Sequence, residues 1–221
     1  MKHLLNRLCK GLLIAGMLAA YFPAGAEEPV DEKERIAALD DLRLIEMINS
    51  VETGKTSELV QKFQEKEGRN QLVNGKFGPN SGCNVESLRN REVLLVTIPA
   101  SKLFGPNSRS LLPSASTYLA PFRRYLKDPD MYRVLIVMHT DNTGDEQYRS
   151  ELTSARADAV FDWFMKTGSD TRYLFPYSLS DDMPLKPNTS VADRAANRRL
   201  EIYLVPGTKM IEQAKKGRIA F

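Results

Sequence analysis

The chain has 221 residues, 42% hydrophobic and 27% charged, with 13 Gly, 12 Pro and 2 Cys. Such a composition excludes collagen-like, disulfide-framework and wholly disordered proteins, and the length suits one domain of moderate size with a small appendage. The formal charge of +3 rests on Lys2, Arg7 and Lys10; beyond residue 26 there are 28 basic and 28 acidic groups, so no global field is available to hold nucleic acid, and none is expected as a partner.

Residues 1–26 pass from those basic residues into an apolar stretch, Gly11 to Phe22, and close on Ala24-Gly25-Ala26. This is the three-part layout of a secretory signal, its apolar core too short to anchor the chain across a bilayer, and an exported protein starting near Glu27 is expected. Cys9 precedes the apolar core and is therefore not a lipid-attachment cysteine. Its removal leaves Cys83 alone, without an internal disulfide, either buried and inert or available for pairing between chains.

Residues 27–70 carry 12 acids and 7 bases. Ile36, Leu39, Leu42, Ile45 and Ile48 recur every third residue, and Leu59, Val60 and Phe63 follow a Thr53-Gly54 break, so two amphipathic helices are expected. This acidic helical arm is open to two readings: a hairpin packed on its own main domain, or a docking arm for an outer-membrane or envelope protein. Residues 71–90, dense in Gly, Pro, Asn and Ser around Asn74–Asn84, read as a loop or linker. Phe-Gly-Pro-Asn-Ser occurs at Phe77–Ser81 and again at Phe104–Ser108 without flanking similarity, which is reuse of a turn rather than an internal repeat.

From residue 91 to 205 the pattern is α/β. Val93–Ile98 and Tyr132–Met138 are continuous apolar runs suited to buried strands, Tyr173–Leu179 reads as an irregular strand, and Leu200–Val205 precedes a Pro206-Gly207 stop. A helix is predicted over Leu111–Leu126, and a second opens at a Thr143-x-x-Glu146 capping box, runs to Lys166 and stops at Gly168. The stripe predicted to be buried on that helix is Tyr148, Leu152, Ala155, Ala159 and Trp163. The order β-α-β-α-β-(short helix)-β implies a two-layer sandwich, two helices over one mixed sheet, with the helical extension in front and a basic tail, 206–221, behind.

The strand Tyr132–Met138 runs out into His139-Thr140-Asp141-Asn142-Thr143-Gly144. An ionisable group leaving a buried strand opposite a helix N-terminus occupies the position where α/β folds build sites. Arg149 and Arg156, seven residues apart, share a helix stripe. At 3.6 residues per turn, Asp141 and Arg156 meet only if the loop folds back along the helix.

His139-Thr-Asp-Asn-Thr-Gly, Tyr148, Leu152-Thr153-x-x-Arg156-Ala157 and Asn197-Arg198-Arg199-Leu-Glu-Ile202, with Leu103–Ser108 upstream, together resemble the OmpA-like C-terminal domain. That family includes the peptidoglycan-associated lipoprotein and MotB, and the resemblance covers about residues 91–205. It implies noncovalent binding of peptidoglycan through the diaminopimelate of the stem peptide, in the periplasm, by a protein that is soluble or peripherally attached to the outer membrane. Under it Asp141 takes the ligand ammonium and Arg156 the carboxylate. Arg198 and Asn107 fall at supporting contacts, and Thr140, Leu152 and Asn197 complete the expected ligand-binding set. No cofactor or metal is implied. The sequence departs from the family pattern at Met138, where Gly is usual, at Arg149, where Asn is usual, at Tyr177–Asp182, where Gly-x-Gly-Glu is usual, and at Asp193, where Gly is usual.

Catalysis is not expected. His139 is the one histidine left after residue 26, there is no P-loop and no Gly-x-Ser-x-Gly elbow, and no carboxylate pair is singled out. A Cys83–His139 dyad is conceivable from composition alone. Two readings therefore stand: a non-enzymatic cell-wall-binding module, or a scaffolding subunit of an envelope assembly that keeps the fold without the ligand.

Overall fold

The computed structural model describes residues 54–221. The segment 1–26, expected to be a secretory signal, and the helix expected around Ile36–Ile48 lie outside the described residues. Five strands form one sheet: β1 (Asn84–Leu88), β2 (Val93–Pro99), β3 (Tyr132–His139), β4 (Leu174–Ser178) and β5 (Arg199–Pro206). Their order is β1-β2-β5-β3-β4, with β3 and β4 parallel and the other neighbours antiparallel, the expected mixed sheet. The apolar runs that predicted β2 and β3 become its buried strands; every residue of β3 is buried.

Strand side chains alternate between faces. One face, formed by Leu94, Val96 and Ile98 of β2, Val134, Ile136 and Met138 of β3, and Leu200, Ile202 and Leu204 of β5, belongs to a single core with Leu119, Phe122, Val160 and Phe164 of the helical layer. Truncating any of these large residues to Ala would cost about 2–5 kcal/mol.

The helical elements differ from expectation in four places. The stretch predicted as one helix over Leu111–Leu126 is broken into a 3-10 turn Pro113–Ala115, a short helix α3 (Ser116–Leu119) and a 3-10 run Ala120–Leu126. Pro121 has no N–H to continue an α-helical ladder, which accounts for the change. The long helix α4 (Glu146–Lys166) is capped by Asp145, which accepts from Tyr148 N at 2.8 Å, and not by Thr143. Gly144, at φ +89°, turns the chain just before the cap, so the helix starts two residues later than the capping box implies.

The buried stripe of α4 is also rotated. Of the predicted residues Leu152 alone is fully buried, whereas Thr153, Arg156, Ala157, Val160, Phe161 and Phe164 face inward. Counting apolar residues gave Arg156 no weight as an inward group. The end of α4 is as expected, closed by Gly168 N to Met165 O and Ser169 N to Phe164 O, the paired bonds of a Schellman stop.

Residues 71–90 are not merely a loop. Helix α1 (Lys55–Phe63) continues through a π-turn, Gln64–Arg69, into α2 (Asn70–Asn74), crossing the boundary drawn at residue 70. Strand β1 then pairs along all of its length with β2, so the sheet begins before residue 91. Its half-exposed sequence, NVESL, sends too weak a period-two signal to find. Val60 and Leu72 are buried in the shared core, and Gln64 donates to Glu92 O at 2.7 Å while accepting from the Tyr132 hydroxyl at 3.1 Å. The described part of the arm, from residue 55, thus packs on its own domain. The tail forms α6 (Thr208–Lys215), with Met210 and Ala214 buried, and the Phe221 ring stacks on Tyr125 at 6.2 Å.

Candidate functional site

Three connections meet at one end of the sheet. Pro99 of β2 and His139 of β3 both pair with Arg199 of β5, so the chain leaves two strands and enters a third at the same level. Ala100 N donates to Arg198 O at 2.9 Å and Thr140 N to Ser180 O at 2.8 Å, which ties these connections together. Helix α5 (Val191–Asn197), capped by the Ser190 hydroxyl, delivers Arg198 to this end.

After β3 the chain makes an Asx turn in which Asp141 Oδ1 accepts from Thr143 N at 2.8 Å. The other carboxylate oxygen is ion-paired with Arg198 Nη1. Burial pushes the Asp141 carboxyl up, but the hydrogen bonds from Thr143 and Arg198, together with the Arg198 charge, outweigh it and hold the group below the usual carboxylate range.

After β2 comes the second Phe-Gly-Pro-Asn-Ser turn. Both copies make the same bond, Ser108 N to Gly105 O at 3.1 Å and Ser81 N to Gly78 O at 2.9 Å, but their backbones differ, the first being a 3-10 turn over Pro79–Ser81. In the second copy Asn107 takes a left-handed conformation (φ +54°) and its Oδ1 accepts from the Tyr148 hydroxyl at 3.1 Å. Arg156 reaches this loop from α4: Nε donates to Ser108 O at 2.8 Å, Nη2 to Gly105 O at 3.2 Å, and the guanidinium lies 4.8 Å from the centre of the Phe104 ring. Nη1 has no protein partner among the described residues. Burial lowers the Arg156 pKa, Tyr148 raises it and the nearby Arg198 charge lowers it further; guanidinium basicity is high enough that the group stays cationic.

Between the loops lies a cleft of about 530 Å³. Six of the seven predicted site residues line it: Asn107, Thr140, Asp141, Leu152, Arg156 and Arg198. Asn197 does not. Its buried amide accepts from Lys186 N at 3.0 Å and donates to Lys186 O and Asn188 Oδ1 at 2.9 and 2.8 Å, bracing the loop in front of α5. The departures from the family pattern also stay out of the lining: Met138 is in the core, Arg149 is bound to Asp181, within the departing Tyr177–Asp182 segment, at 2.7 Å and to Gly144 O, and Asp193 accepts from the Ser190 hydroxyl at 2.8 Å. Phe104, Leu112, Thr143 and Tyr148 line the cleft without having been predicted for it. Tyr148 was legible, since Tyr148, Leu152 and Arg156 succeed one another at four-residue spacing and share one helix face.

Asp141 and Arg156 do not bond to each other; each is held by other groups on the cleft wall, offering one fixed anion and one fixed cation. Arg199, the second arginine of its run, takes a separate place, donating to Glu201 at 2.8 Å inside the sheet. A Cys83–His139 dyad is excluded, because β1 and β3 are separated by two strands, about 14 Å at the usual strand spacing. Among the described residues no group of three or more His, Cys, Asp or Glu is placed to hold a metal, and no helix is long and apolar enough to cross a membrane.

Comparison with known proteins agrees with this architecture. The chain is 35% identical over 102 residues to the outer-membrane lipoprotein YfiB of Pseudomonas aeruginosa, covering 46% of this chain and 61% of that protein. It is 33% identical over 101 residues to the peptidoglycan-binding protein ArfA of Mycobacterium tuberculosis, covering 46% of this chain and 31% of that one. The matches thus span less than two thirds of either relative. The solved structure of the cell wall anchor of the T6SS from Pseudomonas aeruginosa superposes with a TM-score of 0.52 at 27% identity, over 62% of this chain and 96% of that chain. Residues 103–198 match the OmpA family model, so this stretch of the chain is similar to the OmpA family.

Proposed function

We propose that the cleft binds peptidoglycan noncovalently through the free end of a stem-peptide diaminopimelate, tethering an exported, periplasmic protein or its partner to the cell wall. The observation that carries this reading is the placement of a buried carboxylate, Asp141, and a part-committed guanidinium, Arg156, on the walls of one cleft without contact between them. The free end of diaminopimelate carries an ammonium and a carboxylate, so a receptor needs one anion and one cation at a fixed separation. Arginine suits the second role because its planar fork can hold a loop with one edge and a carboxylate with the other. Two similar proteins, a peptidoglycan-binding protein and a cell wall anchor, support the same reading.

Two charge-assisted contacts of about 1.5–3 kcal/mol each, with neutral hydrogen bonds from the walls, correspond to roughly millimolar to micromolar affinity. That strength is sufficient for a tether, since a cell wall presents the same ligand at high local concentration. The role is binding rather than cleavage. Residues 55–70 of the arm are taken up by the domain's own core, so docking to an outer-membrane or envelope protein falls to the residues before them.

Sedimentation with purified sacculi tests the reading. Wild type pellets with the sacculi, and Asp141→Asn and Arg156→Gln, each verified as folded, stay in solution. A folded wild-type protein that remains in the supernatant would turn the assignment over to the scaffolding role. Appearance of new muropeptides during the incubation would require a catalyst instead.

A further inference from the structure

The cleft already contains a competitor for its own anion. Asp141 and Arg198 form an ion pair across the site, but the two partners are unequally held. The Asp141 side chain is 3% exposed and fixed by its Asx turn, whereas the Arg198 side chain is 40% exposed and its one side-chain bond among the described residues is to Asp141. Only the arginine can move without dismantling the loop. Counting ionised groups on the lining, Asp141 contributes −1 and Arg156 and Arg198 +1 each, a sum of +1 for the cleft. The two guanidinium groups lie close enough for the Arg198 charge to depress the Arg156 pKa, so a ligand anion that comes between them relieves a repulsion.

We infer that Arg198 is a resident counter-ion that the ligand's ammonium must displace from Asp141, and that the displaced guanidinium then reads a second carboxylate on the ligand. This rests on the proposed ammonium-to-Asp141 and carboxylate-to-Arg156 pairing and adds a specificity to it. A bare alkylammonium has to break the resident pair and gives nothing to the arginine it releases. A ligand with one ammonium and two carboxylates breaks the same pair, supplies both guanidinium groups and brings the cleft to neutrality. The site therefore selects a singly negative peptide end, and amidation of the second carboxyl weakens capture. Arg198 is suited to this task because it stands at the C-terminal cap of α5 with its backbone secured by Ala100 N, so its side chain moves while its anchor does not.

Titration calorimetry on wild type and Arg198→Gln tests the inference with three probes. These are N-acetyl-diaminopimelate (one ammonium, two carboxylates), the same molecule amidated on the carboxyl beside the acylated amine, and n-butylammonium. Wild type is expected to prefer the dicarboxylate over the amide by about tenfold, the value of one good charge contact. Arg198→Gln reduces that preference to about twofold or less and binds n-butylammonium several-fold more tightly than wild type, because the competitor is gone. An unchanged preference, or weaker n-butylammonium binding in the variant, overturns the counter-ion role. If wild type binds the dicarboxylate and sacculi but shows either of those results, the peptidoglycan reading survives and this one does not; if wild type binds none of the probes and no sacculi, both fall.

Discussion

Replacing Arg156 by Ala removes more than a ligand contact. The guanidinium donates to two backbone oxygens of the loop after β2, Ser108 O at 2.8 Å and Gly105 O at 3.2 Å, and lies against the Phe104 ring. Each bond to a charged donor is worth about 1.5–3 kcal/mol net, and the ring contact about 0.5–1 kcal/mol. The released carbonyls belong to half-exposed loop residues that water reaches, which returns part of that loss. A net destabilisation of about 2–3 kcal/mol follows, and for a domain of this size each kcal/mol lowers Tm by roughly 2–4 °C. Melting followed by far-UV circular dichroism should therefore show a drop of about 5–10 °C, with a smaller drop for Arg156→Lys, which keeps the charge and loses the fork. Sacculus binding, measured well below the new Tm, should be lost in Ala and strongly reduced in Lys. An Ala variant that melts within about 2 °C of wild type and still sediments would refute the reasoning, because it would mean that the guanidinium neither holds the loop nor meets the ligand.

The remaining expectations are independent of that one. Because the Asp141 carboxyl is held below its ordinary value of about 4, its charged-state contribution to stability and binding is fully present above that pH and is lost as pH falls through the folded-state value. The stability difference between wild type and Asp141→Asn should accordingly be constant from neutral pH to about 4 and shrink below it; a difference that changes between pH 8 and 6 would contradict this. At Gly207 an added Cβ would lie 2.2 Å from Asp130 O, so Gly207→Ala should destabilise by about 1–3 kcal/mol in chemical denaturation. At Gly168 no atom is within 4 Å and the penalty for Ala comes from the positive φ, about 1–2 kcal/mol; equal and negligible losses at both positions would be inconsistent with this geometry. Tyr148→Phe removes the hydroxyl bond to Asn107 Oδ1 at an exposed position, and should change Tm by less than about 2 °C while weakening sacculus binding measurably.

Four of the five strands were legible in residue order, and most of the cleft followed from motifs that resemble the OmpA-like domain. Continuous apolar runs such as Val93–Ile98 and Tyr132–Met138 have few places to go except a buried strand, and residues just past such strands emerge at a sheet end whatever the rest of the chain does. That is why Asp141 could be placed at a sheet end from residue order, whereas Thr140 and Arg198 entered the site through the resemblance to the OmpA-like domain. Local signals were silent where a partner far along the chain decides the outcome. Strand β1 exists because β2 offers it a ladder, and α1 keeps a buried Gln64 because Glu92 O and the Tyr132 hydroxyl are there to satisfy it. Tertiary structure alone decided which face of α4 turns inward. An arginine counts as an outer residue in any periodicity, and Arg156 is buried because the loop Gly105–Ser108 folds over it and supplies carbonyl oxygens. The pairing of Asp141 with Arg198 across 57 residues was likewise beyond sequence reading, since the strength of an ion pair depends on distance in space and on burial, neither of which is written in the order of the residues.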